Sequence, residues 1–404
     1  MSTTKAWNDR TALKLSGTVK QRAAKGLQAA ADWAVRNQVR HVWPRWNANA
    51  GRFPYHVYLP VDDAFLSTSW NTARTVQGLL TAWQVTGTRE YLEAAQRGLA
   101  YVKSLQVFSP EHPYFRGAFI EETPQSDHAG PRDGIECAQA LMAHYFATRD
   151  ETSLLRAREF LDFLLRVMKA DDWPSGYIYL STRRGAACGG DMTAFIFAVG
   201  AIPLVQAARV LNRPAYITQG ASPLVRFVLD NLLDTDGAFR PRTAAQSHHV
   251  REGGDPVVLN DDGVGVAILS AWKATRRRAY LEAAVANGDW WIRQDFEKLP
   301  AVFAMPTCVA IFLADLARAT ADTRYTDFLE DLADRVFQLQ IPRDDRPLVA
   351  GAFRGEDMAS SYRAGSSPAD YVSLRSVSYG LLALGKLAAR NAGQWGPSYS
   401  AFGF

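Results

Sequence analysis

The sequence predicts an all-α fold, an (α/α)6 barrel or toroid in which six helical hairpins close into a ring. Two repeated phrases and a regular alternation of short and long connections predict it. The 404 residues contain no Pro/Gly/Ser-rich linker, no low-complexity run and no block of like charge. We therefore expect residues 1–404 to form one toroid domain, with short strands and long loops at one rim.

The first phrase is a threonine, a few polar residues and then Tyr-Leu-Glu-Ala-Ala. It starts at Thr86 and returns at Thr275, with looser copies at Thr148 and Thr320. An apolar run precedes each copy and an amphipathic run follows it. This pattern predicts a tight turn between two antiparallel helices.

The second phrase is a glycine, any residue, and an aromatic or large apolar residue. It begins at Gly51, Gly117, Gly176, Gly237 and Gly351. Each copy follows an amphipathic segment and precedes a loop that leads to the next apolar segment. We expect these phrases to form short extended segments at one rim.

The two phrases together divide the chain into six units, each with an outer and an inner helix. The outer helices are predicted at 19–37, 89–106, 152–169, 215–233, 279–294 and 324–340. The inner helices, rich in Ala, Gly and Leu, are predicted at 70–86, 133–148, 191–210, 262–275, 305–319 and 374–390. The outer-to-inner loops are several times longer than the inner-to-outer turns, and loops of that length are usually functional.

Over nearly the whole chain, the Tyr-Leu-Glu-Ala-Ala and Gly-Ala-Phe phrases resemble the six-hairpin glycosidase-like toroids. That superfamily includes unsaturated glucuronyl hydrolases, other inverting glycosidases, and the toroidal parts of some polysaccharide lyases and epimerases. The resemblance implies a carbohydrate-active enzyme with its cleft at the rim that carries the long loops. The sequence matches no family's catalytic signature, so the resemblance assigns no catalytic residue.

Three aspartates near the starts of inner helices are the candidate catalytic residues: Asp133, Asp191 and Asp262. Adjacent helix starts in a toroid can hold one protonated carboxyl and one carboxylate, as inverting glycosidases require. Asp133 and Asp191 form the first pair, with Asp262 in reserve. The alternative is that these residues cap their helices, with Asp133 and Glu136 as a capping box. Arg132 is expected to keep Asp133 ionised.

Residues of the long loops and helix starts are the candidate substrate-binding groups. They are Trp70, Glu122, Arg132, His248, His249, Arg251, Arg363 and Tyr371. An aromatic residue such as Trp70 offers a face for a sugar ring, although it equally suits a plug between helix ends. Arginines at the rim suggest a carboxylated sugar.

These residues favour an inverting glycoside hydrolase that acts on an acidic, uronate-containing oligosaccharide. One alternative is a lyase or epimerase that uses His248, His249, Tyr362 or Tyr371 as acid and base. Another is a non-catalytic toroid that binds a glycan or a protein.

Composition narrows the possible partners. The formal net charge is +4 and the basic residues are scattered, so we expect no nucleic-acid partner. We expect no membrane span and no secretory signal, and hence a cytoplasmic protein with a small-molecule or oligosaccharide substrate. The three cysteines show no Cys-x-x-Cys spacing, so we expect no zinc site with His248 or His249 and no cofactor.

Overall fold

The computed structural model describes residues 13–40, 49–60, 63–111, 113–121, 128–170, 177–179, 185–186, 198–239, 263–295, 305–343, 345–355 and 370–390. Helices of the outer ring are α1 (Gly17–Asn37), α3 (Arg89–Ser104), α5 (Glu151–Ala170), α7 (Ser222–Asn231), α9 (Arg278–Trp291) and α11 (Thr323–Leu339). Helices of the inner ring are α2 (Ser69–Thr86), α4 (Pro131–Thr148), α6 (Ala201–Val210), α8 (Val264–Thr275), α10 (Met305–Thr320) and α12 (Leu374–Ala388).

The predicted hairpins are confirmed, and most helix boundaries agree to within two or three residues. The fourth outer helix differs, because it opens as a π-helical segment, Tyr216–Ala221, before α7. Pro223 lies in the first turn of α7 and has no N–H for an i→i−4 bond, so the helix begins with altered spacing. The predicted start of the third inner helix, at 191, lies outside the described residues.

The repeated threonine closes four of the inner-to-outer turns. Its hydroxyl donates to the carbonyl oxygen four residues earlier and accepts from the N–H two residues later. Thr86 makes these bonds to Ala82 and Thr88, and Thr148, Thr275 and Thr320 repeat them. One residue in each of these turns has a positive φ, as Gly87 does (75°). The phrase is therefore a helix stop followed by a reversal.

The tyrosine of the phrase joins neighbouring outer helices. The Tyr91 hydroxyl donates to Asp32 Oδ1 at 2.6 Å, and Tyr325 donates to Asp289 Oδ1 at 2.8 Å. Tyr216 makes the equivalent bond to Asp162, also at 2.8 Å. Burial, together with the neighbouring carboxylate, raises the pKa of Tyr91, so its hydroxyl stays a donor.

In four units the glycine of the second phrase holds the unit against the next outer helix; a further copy, at Gly176, lies outside the described residues. Gly117 has a φ of +90°, and a Cβ there would overlap the backbone carbonyl of Glu159 on α5. Gly51, Gly237 and Gly351 have φ values of +91°, +95° and +88° and lie equally close to α3, α9 and α1. These positions require glycine for both the conformation and the contact.

A glutamine amide completes this contact in three units. Gln106 Nε2 donates to the Gly117 oxygen at 3.0 Å and to the Arg156 oxygen of α5 at 2.9 Å. Gln38 and Gln340 bridge in the same way to α3 and α1. Since Gln340 belongs to the last unit and α1 to the first, the same bond closes the ring.

Short strands lie at the rim where the inner helices begin. β1 (Pro54–Tyr58) pairs antiparallel with β2 (Asp63–Leu66) and with β6 (Tyr371–Ser373), which joins the first and last units. β4 (Tyr177–Tyr179) pairs with β3 (His128–Ala129) and β5 (Gly185–Ala186). Among the described helices, none is long and apolar enough to span a bilayer.

We expect Gly117→Ala to destabilise the protein much more than Gly87→Ala. Both glycines have positive φ, but a Cβ at Gly87 meets nothing within 4 Å. The conformation alone should cost about 1–2 kcal/mol, and the overlap with α5 a further 1–3 kcal/mol or so. Urea denaturation of the two variants measures the difference. Equal losses would contradict a role for Gly117 in helix contact.

Candidate active site at the mouth of the ring

Three inner helices that are consecutive around the ring, α12, α2 and α4, place equivalent residues at its mouth. Their N-cap residues are Ser373, Thr68 and Gly130. Positions counted from these caps are therefore comparable between helices. Because residues four apart share a helix face, the second and sixth residues of each helix form two layers, one a turn deeper than the other.

The layer nearer the mouth is a tryptophan between two arginines. The second residues of α12, α2 and α4 are Arg375, Trp70 and Arg132. The Arg132 guanidinium carbon lies 4.3 Å from the centroid of the Trp70 ring, and that of Arg375 lies 5.9 Å from it. Tyr55 packs edge-on against the same ring at 6.1 Å. The contacts fix Trp70 in a strongly cationic setting.

The deeper layer is a buried ion pair backed by an aromatic ring. The sixth residues are Tyr379, Arg74 and Glu136. Arg74 Nε lies 3.3 Å from Glu136 Oε2, and Arg74 Nη2 contacts Glu136 Oε1. The Arg74 guanidinium carbon lies 4.4 Å from the Tyr379 ring centroid. The ionic side chains are only 0% and 3% exposed, so each relies on the other for its stability.

The candidate catalytic carboxyl group at the mouth is Asp133, the third residue of α4. Its Oδ1 lies 3.6 Å from Arg132 Nη1. Its Oδ2 is buried and has no hydrogen-bond partner among the described residues. A Cβ on Gly130 would overlap this oxygen, so the glycine leaves room beside it.

Burial raises the pKa of Asp133 to about 7, with a further contribution from the negative charge of Glu121. Arg132 lowers this pKa, but by less than burial raises it. The prediction that Arg132 keeps Asp133 ionised is therefore wrong. At neutral pH a large fraction of Asp133 carries a proton, as a general acid must.

The helix-capping alternative for Asp133 is also wrong. Helix α4 starts at Pro131 with Gly130 as its N-cap, and the cap makes no side-chain hydrogen bond. Glu136, the other half of the proposed capping box, pairs with Arg74 instead. Neither carboxyl caps the helix: Glu136 is held by Arg74, and the burial of Asp133 needs another explanation.

Asn71 occupies the position in α2 that Asp133 occupies in α4. It is fully buried, and neither its Nδ2 nor its Oδ1 has a hydrogen-bond partner within the described part of the chain. Buried amides are nearly always bonded. Asn71 thus presents a donor and an acceptor suited to a polyhydroxylated ligand.

Glu121 and His128 also lie at the mouth, and neither is among the site residues predicted from the sequence. His128 Nε2 lies 3.0 Å from Glu121 Oε2, and both side chains are partly exposed, at 22% and 25%. The Glu121 carbonyl oxygen accepts from the N–H of Ser69, the first residue of α2, at 2.9 Å. This bond holds Glu121 at the head of the helix that carries Trp70.

Across the ring, helix α8 is apolar at the same level. The second, third and sixth residues of α8 are Gly265, Val266 and Leu269, all buried. The charged and polar groups are therefore concentrated on α12, α2 and α4 among the described helix starts.

The structure brings together three of the predicted site residues, Trp70, Arg132 and Asp133. Tyr371 lies in β6, where its ring packs on Tyr58 with centroids 5.1 Å apart. The remaining predicted residues lie outside the described residues: Glu122, Asp191, His248, His249, Arg251, Asp262 and Arg363. Four further residues of the site were not predicted as such: Arg74, Glu136, Glu121 and His128. A charged residue inside an apolar inner helix, as Arg74 is, could have been recognised from the sequence.

A second buried ion pair lies near the C-terminal ends of the inner helices. Lys386 Nζ of α12 donates to Asp315 Oδ1 of α10 at 2.6 Å. Burial lowers the pKa of Lys386 to about 8, against the opposing effect of Asp315. Within the described ranges, no group of three or more His, Cys, Asp or Glu residues could hold a metal ion.

Comparisons with solved structures identify the fold. No protein-family model and no curated protein matches the sequence. The unsaturated glucuronyl hydrolase of Bacillus sp. GL1 matches with a TM-score of 0.64 and 16% identity, over 94% of this chain and 99% of that one. The cellobiose 2-epimerase of Bacillus thermoamylovorans matches with 0.64 and 13% identity, over 91% and 98%.

An α-1,6-mannanase of Salegentibacter, solved with α-1,6-mannotetrose, matches with a TM-score of 0.59 and 12% identity, over 91% and 98%. These neighbours are carbohydrate-active enzymes, and the chain shares their six-hairpin toroid. The predicted toroid fold, and the structural resemblance to other six-hairpin toroids, are thus confirmed. At these identities the likeness establishes the fold alone.

Breaking the Arg74–Glu136 pair should destabilise the protein strongly. We expect Arg74→Met to cost about 3–5 kcal/mol, because it leaves Glu136 buried without its partner. The double variant Arg74→Met/Glu136→Leu should recover most of that loss. The matched control is Arg89→Met in the exposed Arg89–Glu93 pair, which should cost less than about 0.5 kcal/mol. A loss below about 1 kcal/mol for Arg74→Met, measured by urea denaturation, would show that the pair is not essential.

Protonation of Asp133 should appear in the pH dependence of stability. Its folded-state pKa of about 7 exceeds the ordinary value of 3.8, so the folded state binds the extra proton between those pH values. The stabilisation from that proton is complete at low pH and is lost as the pH rises through 7. As the pH rises from 4 to 8, we therefore expect the native protein to lose up to about 4 kcal/mol of unfolding free energy relative to Asp133→Asn. If the difference in unfolding free energy between the two proteins stayed constant across that range, it would contradict the raised pKa of Asp133.

Proposed function

We propose that this protein is a carbohydrate-active enzyme, and specifically an inverting glycoside hydrolase acting on an acidic, uronate-containing oligosaccharide. The observation that carries this proposal is Asp133, a buried carboxyl group at the mouth of the ring whose pKa is raised to about 7. In such a site the protonated acid donates its proton to the glycosidic oxygen as the bond breaks.

The surroundings of Asp133 suit a sugar with a carboxylate. Trp70 offers a ring face at the mouth, and Arg132 and Arg375 lie against that ring. Arginine recognises carboxylates through paired N–H donors. Asn71 has both a donor and an acceptor for hydroxyl groups. Together these groups favour a small acidic oligosaccharide over a neutral one.

An inverting mechanism also needs a carboxylate that activates water. Asp191 and Asp262 remain candidates for that role from the sequence. Both lie outside the described residues.

Epimerisation or elimination at a uronate is a second candidate function. The Glu121–His128 contact favours it, because a histidine bonded to a carboxylate is a common general base. Product analysis separates the two functions. Hydrolysis releases a new reducing end, elimination creates an unsaturated sugar with ultraviolet absorbance, and epimerisation changes neither mass nor chain length.

The test of the proposed function is turnover of a substrate panel by the native protein and by Asp133→Asn. The panel contains aryl uronides, aryl glycosides of neutral sugars, unsaturated glucuronyl disaccharides, α-1,6-mannotriose and cellobiose. We expect hydrolysis of an acidic member, and a loss of about 10²–10⁴-fold in kcat for Asp133→Asn. The rate of the native enzyme should fall above about pH 7, as Asp133 loses its proton.

The matched control is Asp331→Asn, the same substitution at an exposed aspartate of α11. It should leave activity unchanged. Full activity of Asp133→Asn, or no hydrolysis of any panel member, would overturn the proposed function.

A further inference from the structure

Backbone pairing at the mouth brings Glu121 and His128 together. Ile120 forms an antiparallel bridge with Ala129, which places Glu121 opposite His128. Their side chains meet at 3.0 Å, between Nε2 and Oε2. Because the backbone fixes both residues, the carboxylate has a defined position at the water-exposed edge of the site.

Glu121 and His128 are linked to both α2, which carries Trp70, and α4, which carries the candidate acid Asp133. On one side, the Glu121 oxygen accepts from Ser69, which precedes Trp70 in α2. On the other side, His128 and Ala129 lead through Gly130 into α4, and the Asp133 carboxyl lies against Gly130. The Arg132 guanidinium lies against the Trp70 ring, so the two helices are also in direct contact.

The two carboxyl groups at this part of the site, those of Asp133 and Glu121, have opposite environments. Asp133 is 4% exposed and holds a proton near neutral pH, whereas the side chain of Glu121 is 25% exposed. Two carboxyl groups with such different surroundings typically divide into an acid and a base. The other charged groups that act on Asp133 are Arg132 and the buried Glu136, whose own charge is matched by Arg74.

We propose that Glu121 is the second carboxylate of the site, which accepts the proton of the attacking water, and that His128 is its positioning residue. This inference rests on the proposed hydrolase function. It assigns the base to a described residue in place of Asp191 or Asp262.

The proposed step balances in atoms and protons. Water forms a bond from its oxygen to the anomeric carbon and gives one proton to Glu121. The glycosidic C–O bond breaks, and the leaving oxygen takes the proton of Asp133. The step leaves Glu121 protonated and Asp133 ionised, and exchange with solvent restores both. In the tautomer with its hydrogen on Nε2, His128 donates to the Glu121 carboxylate and holds it toward the water.

The experiment is steady-state kinetics of Glu121→Gln across pH, on the panel substrate that the native enzyme hydrolyses. We expect kcat to fall by about 10²–10⁴-fold while KM changes little. The alkaline limb of kcat/KM should also move to lower pH, because the substitution removes the negative charge that helps raise the pKa of Asp133. Glu111→Gln, an exposed glutamate of the same loop, is the control and should match the native enzyme.

Two variants of His128 test its role. In His128→Gln the amide nitrogen can replace Nε2 as the donor, so we expect most of the activity to remain. His128→Ala loses the donor and should lose about 10-fold in kcat with the same thermal unfolding midpoint. Equal activities of these two variants would overturn the positioning role of His128.

The outcomes for Glu121→Gln separate the two proposals. A kcat within threefold of native and an unmoved alkaline limb would overturn the assignment of Glu121. So would a rise in KM alone, which would mark a substrate-binding group. If Asp133→Asn is inactive in either case, the hydrolase proposal stands and the base lies elsewhere, whereas an active Asp133→Asn overturns the hydrolase proposal itself.

Discussion

Arg74 carries a full positive charge on a side chain with no exposed surface, and three inner helices must be in register to accommodate it. Glu136 of α4 supplies the opposite charge, and Tyr379 of α12 covers the guanidinium. An unpaired charge at this depth would cost several kcal/mol, so a shift of one helix by a turn is strongly disfavoured. That register also sets the layer above, where Trp70 and Arg132 meet one turn nearer the mouth. The ion pair therefore fixes the geometry of the candidate site.

The outer ring and the inner ring use the repeat in different ways. In the outer ring the same contact recurs, as with the Gln106 amide that bridges Gly117 to the next helix. At the inner helix starts, equivalent positions carry different chemistry, such as Asn71 in α2 and Asp133 in α4. The recurrent bonds close the ring whatever lies inside it. The inner positions are thus free to differ, and the differences between units, more than the repeat itself, carry the functional information.

The sequence was sufficient for the architecture because the turn contacts are local and the rim contacts recur at the same place in several units. Thr86 bonds within four residues, and a glycine recurs where Gly117 meets the next outer helix, so both leave a periodic trace. The site is different, because Arg74 and Glu136 are 62 residues apart and no local pattern links them. Glu121 also depends on a bridge across a loop whose register the sequence does not show. Asp133 was selected for its position at a helix start, yet the sign of its pKa shift followed from burial, which only packing reveals.

Arg132 shows why packing decides that sign. A guanidinium beside a carboxylate ordinarily keeps it ionised, through short paired hydrogen bonds. Here the guanidinium lies over the Trp70 ring at 4.3 Å, and its nearest nitrogen is 3.6 Å from Asp133 Oδ1. The charge of Arg132 lowers the pKa of Asp133, but burial raises it by more, and Oδ2 stays buried without a donor among the described residues. Burial of Asp133 therefore outweighs the neighbouring guanidinium, which lies against the Trp70 ring, and Asp133 can carry a proton near neutral pH.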